Sequence, residues 1–381
     1  MNPQHLYIHY PFCKKKCSYC DFISFPKHEA FVNKYHEALS NEIKTFAQNN
    51  KNPHDIKTIF FGGGTPSLYP LELFKNLFKT IHKNFSLKNL VEATIEVNPG
   101  DITEKHLATY KSLGINRLSI GVQVLDDKIL RSVNREQTNQ DVIQLLEIAP
   151  KYFNNISVDL MLGLPKTTTE LWFKTLDYVA SQPITHISIY FLTIYEKTPL
   201  YFKIENKTIS LPEESWLIET YNQTIDYLKQ KDFLQYEISN FAKPGFLSLH
   251  NKAYWDRKPY QGFGLSAASF DGRKRLVNSN NLIEYLNCGH RAKTVEILTP
   301  QNIALEELML GLRQKQGVGL RRMIYLLSEE QFRMPKQSVL LFEENVAQLK
   351  KENLIEEKNG RISLTTRGRV LENEVIVRLL P

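Results

Sequence analysis

The chain has 381 residues, of which 42% are hydrophobic and 23% charged, and its formal net charge is +7. These values are typical of a folded globular protein, and the length predicts two or three domains. The amino terminus carries no basic segment followed by an apolar one, and no apolar run approaches the roughly 20 residues that span a bilayer. We therefore expect a cytoplasmic protein without a transmembrane segment, in which cysteines stay reduced.

Positive charge is spread along the chain, and Lys14–Lys16 is its only run of three lysines. Because the sequence also lacks an RNA-binding motif, we expect no nucleic-acid partner. The triplet instead favours an anionic cofactor or an electron donor close to it.

Short β-branched and aromatic runs alternate with amphipathic stretches in the first part of the chain. Tyr35, Leu39 and Ile43 share one face of the clearest such stretch. Repeated βα units predict an α/β fold, a partial TIM-like (β/α)6 barrel whose active residues lie on loops after the strands. Strands are expected near Tyr7–Tyr10, Thr58–Phe61, Ala93–Val97, Arg117–Ile120, Ser157–Met161 and His186–Phe191. Further helices are expected at Pro70–Asn84, Thr103–Ser112, Asn139–Ala149, Thr169–Ser181 and Pro212–Lys231.

Two changes of composition divide the chain into three predicted parts. After the barrel, a glycine- and aromatic-rich segment should cover or extend the barrel mouth, and helical stretches then precede a hairpin with an Asn359-Gly360 turn. The predicted parts are a barrel at 1–234, a barrel extension at 235–298 and a winged-helix-like domain at 299–381.

The predicted winged-helix-like domain has nearly balanced positive and negative charges. Its candidate recognition helix carries Glu343, Glu344 and Glu352, which DNA phosphates would repel. We therefore expect it to be a packing or docking module.

Three of the four cysteines, Cys13, Cys17 and Cys20, lie in a C-x3-C-x2-C spacing. Three thiolates on one loop can bind three irons of a [4Fe-4S] cluster and leave the fourth iron open. The alternative is a zinc site, but a structural zinc ion needs a fourth ligand and no second cysteine or histidine pair follows. Cys288 is expected to be a small buried hydrophobe.

Several polar or glycine-rich segments follow predicted strands. In Phe60–Ser67, three successive glycines allow the backbone to approach a ligand closely. Glu96 lies near the end of the third predicted strand, where an acid is more often functional than structural. Asp159 lies among apolar residues and should therefore have a hydrogen-bonding partner.

The cysteine loop resembles the signature of radical S-adenosylmethionine (SAM) proteins. The amino-acid sequence of Tyr7–Cys13 is similar to that of the corresponding segment in the coproporphyrinogen-oxidase-like branch of that superfamily. The resemblance implies that SAM chelates the open iron through its amino and carboxylate groups. It also implies a set of SAM-binding residues, namely Tyr7, Tyr19, Gly63, Gly64, Thr65, Glu96, Gln123, Arg135 and Asp159.

A second motif, His250-Asn-Lys-Ala-Tyr254-Trp255, resembles the haem-binding motif of the HemW family of haem chaperones. Histidine is a common axial ligand of haem iron, and aromatic rings stack on a porphyrin. The resemblance implies that His250 binds haem iron and that Tyr254 and Trp255 contact the ring. Proximity alone suggests that Arg257 and Lys258 neutralise the haem propionates.

Two alternatives to a haem chaperone stay open. One is an oxygen-independent coproporphyrinogen III oxidase, whose cluster motif has a further cysteine where this chain has Phe22. In favour of that oxidase, Ala268 stands where many chaperones have histidine. The other is an electron-transfer or regulatory module that carries a cluster without SAM.

The resemblance leaves several partners to be identified. A chaperone would need a haem-protein acceptor, and a radical reaction would need a reduced flavodoxin or ferredoxin as electron donor. Peripheral membrane contact and homodimerisation are also left open.

Overall fold

A computed structural model describes residues 3–50, 55–288, 292–328 and 337–380. Among these residues, the largest element is a twelve-stranded sheet in the order β12-β11-β10-β9-β1-β2-β3-β4-β5-β6-β8-β7. Its strands are β1 His5–Tyr10, β2 Thr58–Gly63, β3 Glu92–Val97, β4 Arg117–Gln123, β5 Ile156–Leu162, β6 His186–Phe191, β7 Leu234–Gln235, β8 Asn240–Ala242, β9 Tyr260–Phe263, β10 Ala268–Phe270, β11 Lys274–Asn278 and β12 Ala292–Ile297.

The six strands predicted from the sequence are all present, and they pair in parallel in chain order from β1 to β6. Alternate residues of each strand, such as Leu6 and Ile8 in β1, are buried against the helices. The side chains of the residues in between face the lumen enclosed by the curved sheet. The two outermost strands, β12 and β7, do not pair with each other in the described part, so the barrel is open.

The helices cover the outer face of the sheet, and the predicted ones are confirmed to within two residues at most ends. Four short helices were not predicted, because six or seven residues give too little periodicity. The helices before residue 299 are α1 Val32–Asn49, α2 Leu71–Asn84, α3 Glu104–Ser112, α4 Asp127–Ser132, α5 Asn139–Ile148, α6 Thr169–Ala180, α7 Pro199–Glu205, α8 Glu214–Gln230, α9 Leu249–Trp255 and α10 Leu282–Cys288.

The segment after α8 extends the sheet at both edges. β8 pairs antiparallel with β6, and β9 pairs parallel with β1 as a seventh parallel strand. The expectation that this segment covers the mouth is wrong for α9, because His250 of this helix contacts Thr58 at the amino-terminal end of β2. The side chain of Cys288 lies outside the described part of the chain.

The carboxyl-terminal helices and hairpin match the predicted winged-helix outline. Asn359 and Gly360 have φ angles of 54° and 71°, which is the left-handed backbone of a two-residue hairpin turn. The hairpin and helices share a second apolar core with Ile238 and Phe270 of the barrel extension. The elements are α11 Pro300–Arg313, β13 Val318–Gly319, α12 Leu320–Leu327, α13 Gln337–Lys351, β14 Ile355–Lys358, β15 Arg361–Leu364, α14 Thr366–Val370 and α15 Glu372–Leu379.

A buried ion pair reinforces this docking. Arg313 Nε lies 2.7 Å from Glu237 Oε2, and the Glu237 side chain is fully buried. No helix in the described part of the chain combines the length and apolar composition needed to cross a membrane.

Replacing Arg313 by methionine should leave the Glu237 carboxylate buried without its cation. Breaking a buried pair in this way costs about 3–5 kcal/mol, so we expect a fall of that order in the free energy of unfolding measured with denaturant. Arg131→Met is the control, because its pair with Asp127 is at the surface and should contribute little. Equal effects of the two substitutions would contradict this role of the buried pair.

Candidate cofactor site at the carboxyl ends of the strands

The cysteine loop lies over the carboxyl ends of the strands and is anchored by backbone hydrogen bonds. Ser18 N donates to Val133 O at 2.9 Å, and Leu200 N donates to Ser18 O at 2.9 Å. Within the loop, Cys20 N donates to Cys17 O at 3.1 Å. The loop is therefore held by the segments that follow β4 and β6.

The basic triplet of this loop is engaged within the chain. Lys14 Nζ lies 2.5 Å from an Asp101 carboxylate oxygen, and Lys15 Nζ lies 2.6 Å from a Glu136 carboxylate oxygen. Lys16 Nζ donates to the Phe22 carbonyl at 3.0 Å. Two of the three lysines, Lys14 and Lys15, therefore hold the loop against neighbouring segments through ion pairs, whether or not they also attract an anion.

Cys13, Cys17 and Cys20 are free thiols in the structure. Burial raises the pKa of Cys13 and of Cys20, and the charge of Cys17 raises both further. Among the described residues, no three His, Cys, Asp or Glu side chains are gathered closely enough to hold one metal ion. The donor set fits a multi-iron cluster, in which each thiolate binds a different iron.

The glycine-rich turn after β2 packs directly against this loop. Gly64 N donates to Tyr10 O at 2.7 Å, and Thr65 N donates to Phe12 O at 3.0 Å. Thr65 Oγ1 also donates to Cys13 Sγ at 3.4 Å. A Cβ atom on Gly64 would lie 2.8 Å from Phe12 O and 3.0 Å from Cys13 Sγ, so only glycine allows this approach.

Arg135 connects the loop to the strand ends. Its guanidinium donates to Cys17 Sγ at 3.8 Å, to Tyr19 Oη at 3.4 Å and to Asn98 Oδ1 at 2.8 Å. Its Nε donates to Gln137 Oε1 at 2.8 Å. Two predicted residues, Arg135 and Tyr19, are therefore brought together beside Cys17.

Glu96 and Asp159 are two lumen-facing carboxyls near the mouth. Gly63 N donates to Glu96 Oε2 at 3.2 Å. Burial, assisted by the charge of Asp159, raises the pKa of Glu96 to about 8. Asp159 has the predicted partner, because Ser119 Oγ donates to it at 2.8 Å, and burial raises its pKa as well. A carboxyl whose pKa is raised by burial is a candidate binding residue, because a cationic or hydroxylated ligand can supply the polar partner that burial in the protein removes.

Tyr7 and Gln123 complete the predicted set. Tyr7 Oη is hydrogen-bonded to His9 Nδ1 at 3.1 Å, and its ring stacks on Phe60. Gln123 has a φ angle of +70° where the pairing of β4 with β5 becomes irregular. A non-glycine residue in this conformation stores backbone strain, which is common at binding sites.

Sequence reasoning missed two residues that organise this site. Asn98 links Arg135 to Thr65 Oγ1, to which its Nδ2 donates at 3.4 Å, and Gln137 binds the Gly121 carbonyl at 2.9 Å as well as Arg135. The signal for Asn98 was its place directly after β3, in an Asn-Pro turn. No local signal distinguished Gln137.

The H-N-x-x-Y-W motif lies at the opposite end of the barrel from the cysteines. His250 is completely buried, with Nδ1 hydrogen-bonded to Thr58 Oγ1 at 2.6 Å and Nε2 to Tyr254 Oη at 2.9 Å. Glu92 accepts from the backbone N–H of Leu249 and of His250 at the start of α9. Both ring nitrogens of His250 are thus engaged in this conformation.

The neighbours of His250 are also engaged. Tyr254 packs on Tyr260, and Arg313 stacks over the Trp255 ring at 4.7 Å. Arg257, which proximity suggested for a propionate, is paired with Glu306 at 3.1 Å. The motif therefore joins the base of the barrel to the carboxyl-terminal domain.

Comparison with known proteins identifies the family. A model of the radical SAM superfamily matches residues 7–179, and a model of the HemN C-terminal domain matches residues 298–371. The chain is 34% identical to the heme chaperone HemW of Bacillus subtilis, over 97% of each chain. It is 30% identical to HemW of Lactococcus lactis, over 99% of this chain and 97% of that one. The chain belongs to the HemW family of radical SAM proteins.

The HemW family assignment agrees with the fold. The structure of coproporphyrinogen III oxidase (HemN) from Escherichia coli, a radical SAM enzyme, superposes with a TM-score of 0.84 at 25% identity, covering 99% of this chain and 90% of that one. The radical SAM fold implies a [4Fe-4S] cluster and SAM.

Gly64→Ala should prevent normal seating of the cysteine loop, because the added Cβ meets backbone and sulfur atoms that cannot both move away. We expect overpacking to lower the free energy of unfolding by about 1–3 kcal/mol. The iron and sulfide content after anaerobic reconstitution should be clearly lower than in wild type. Gly319→Ala is the matched control, since its Cβ would lie 3.8 Å from the nearest atoms. Normal cluster content in Gly64→Ala would refute this packing constraint.

Glu96 predicts a pH dependence of stability in the cluster-free protein. Its pKa is raised from an ordinary value of 4.5 to about 8, so the folded chain retains a proton that the unfolded chain releases. The free energy of unfolding should therefore fall as pH rises between these values, and Glu96→Gln should flatten the fall. Denaturant unfolding at several pH values measures it, with exposed Glu170→Gln as control. An unchanged slope in Glu96→Gln would contradict the shift.

Proposed function

We propose that the chain is a haem chaperone that binds a [4Fe-4S] cluster, SAM and haem and transfers the haem to an acceptor haem protein. The observation that carries the proposal is near full-length similarity to proteins named heme chaperone HemW. The arrangement of the cysteine loop, the glycine-rich turn and Arg135 supports the cofactor part of it.

The residues at the mouth have separable roles in this proposal. When bound, the cluster supplies an electron that can cleave SAM to a 5′-deoxyadenosyl radical. Cys13, Cys17 and Cys20 hold the cluster, and Glu96 and the backbone at Gly63 orient the amino group of SAM. Arg135 pairs with its carboxylate through a planar donor fork.

The remaining predicted residues act on other parts of SAM. Gln123 and Asp159 form hydrogen bonds with the ribose hydroxyls. The wall of the SAM site is formed by Tyr7, Gly64, Thr65 and Tyr19. A reduced flavodoxin or ferredoxin would deliver the electron. The exposed Phe22, next to the cysteine loop, offers an apolar contact for such a donor.

Haem ligation by His250 requires α9 to open, because both ring nitrogens are hydrogen-bonded and the side chain is buried. A binding-competent state that is only fractionally populated weakens the apparent affinity in proportion. Removing a hydrogen bond that holds the closed state should therefore tighten haem binding.

The test is an anaerobic haem titration of the reconstituted protein, followed in the Soret band. We expect saturable one-to-one binding, its loss in His250→Ala, and up to about fivefold tighter binding in Tyr254→Phe, which removes one hydrogen bond of about 1 kcal/mol. Leu249→Ala, at an exposed position at the start of the same helix and outside the motif, is the control. If neither variant changes an observed haem affinity, His250 is a structural residue and not the ligand; if the wild type shows no saturable binding, the chaperone proposal fails.

Coproporphyrinogen III oxidation is the second candidate, favoured by the TM-score of 0.84 to the HemN structure. It predicts decarboxylation of coproporphyrinogen III by the reduced, SAM-loaded protein. Turnover in that anaerobic assay, with loss in Cys17→Ser, would replace the chaperone proposal.

A further inference from the structure

Arg117 begins β4 and faces the lumen of the barrel. Side chains of a strand alternate between its two faces, and those of Leu118 and Ile120 are buried in the core between the sheet and the helices. Ser119, on the same alternation as Arg117, bonds Asp159 inside the lumen. The Arg117 guanidinium is therefore held within the barrel.

This guanidinium has no partner in the described part of the chain. Arg117 is only 2% exposed, its Nε has no acceptor, and no described residue forms a hydrogen bond or an ion pair with it. Thr94 is its register partner on β3, is completely buried, and its hydroxyl also has no partner among these residues. Two unpaired polar groups thus lie at neighbouring positions of the lumen wall.

The nearby acids are already committed elsewhere. The Asp159 oxygens accept from Ser119 at 2.8 Å and from Ser157 at 3.5 Å, and Glu92 accepts the first backbone N–H groups of α9. Arg117 is the first residue of β4, and Thr58, which is hydrogen-bonded to His250, is the first residue of β2. Arg117 consequently lies between the mouth and the H-N-x-x-Y-W helix, without an ion-pair partner of its own among the described residues.

A buried cation without a counter-ion is costly, so a position that keeps one is suited to receive an anion. Guanidinium offers a planar fork of N–H donors that matches a carboxylate, and the Thr94 hydroxyl can donate beside it. Haem carries two carboxylates, its propionates. This step rests on the proposed haem-binding function.

We propose that Arg117, assisted by Thr94, is a carboxylate receptor inside the barrel and binds a propionate of haem. Arg117 accordingly selects for ligands that carry a free carboxylate. Haem dimethyl ester, in which both propionates are esterified, should bind wild type more weakly than haem does.

The experiment compares haem and haem dimethyl ester on the reconstituted protein by anaerobic titration. Arg117→Gln should weaken haem binding about tenfold or more, the effect of losing a charged hydrogen bond, and leave ester binding unchanged. Arg117→Lys should lie between Arg117→Gln and wild type. Arg321→Gln, an exposed arginine of the carboxyl-terminal domain, should match wild type with both ligands.

Thermal unfolding of the ligand-free protein separates this role from a structural one. Removing an unpaired buried charge should leave the melting temperature of Arg117→Gln unchanged or raise it, whereas loss of a structural arginine would lower it clearly. Equal wild-type affinity for haem and its ester, or an Arg117→Gln variant that binds haem as wild type does, would overturn the proposal. Neither of those results contradicts the proposed haem chaperone function. Absence of saturable haem binding by wild type would contradict both that function and the proposed role of Arg117.

Discussion

The close backbone contact between the cysteine loop and the turn after β2 is the constraint on which the rest of the site depends. Gly64 and Thr65 donate to carbonyl groups of the residues just before Cys13, and Thr65 also reaches the Cys13 sulfur. Because this turn continues from a central strand, the loop inherits its position from the sheet. Arg135 then fixes the other side of the loop through Cys17. The turn and Arg135 therefore fix the positions of Cys13 and Cys17.

The same parallel strands carry polar groups at both ends of the barrel. A hydrogen-bonded series runs from Asp159 through Ser157 and His186 to Tyr236, with separations of 3.5, 2.8 and 2.9 Å. The mouth carries the groups proposed for SAM, and the amino-terminal ends are closed by α9. A ligand that displaces α9 would therefore disturb the docking of the carboxyl-terminal domain, because Arg313 stacks on Trp255.

Local patterns predicted the parts of the molecule that local chemistry determines. Six strands followed from short apolar runs, the cysteine spacing and glycine-rich turn indicated the radical SAM superfamily, and the motif at His250 indicated the HemW family. The parallel pairing of β9 with β1 joins residues far apart in sequence, so no local pattern could show it. The motif around His250 was recognisable in the sequence. Which end of the barrel it occupies depends on strand register, which the sequence does not show. The lack of a partner for Arg117 is likewise a property of the assembled lumen.

Electron paramagnetic resonance of the reduced cluster, recorded before and after addition of SAM, tests the central claim most directly. That claim is that three cysteines leave one iron open to SAM at the mouth of the barrel. The account predicts a changed spectrum with SAM and a smaller change in Arg135→Met. A spectrum that SAM leaves unaltered in the wild-type protein would contradict the account and point to an electron-transfer or regulatory cluster.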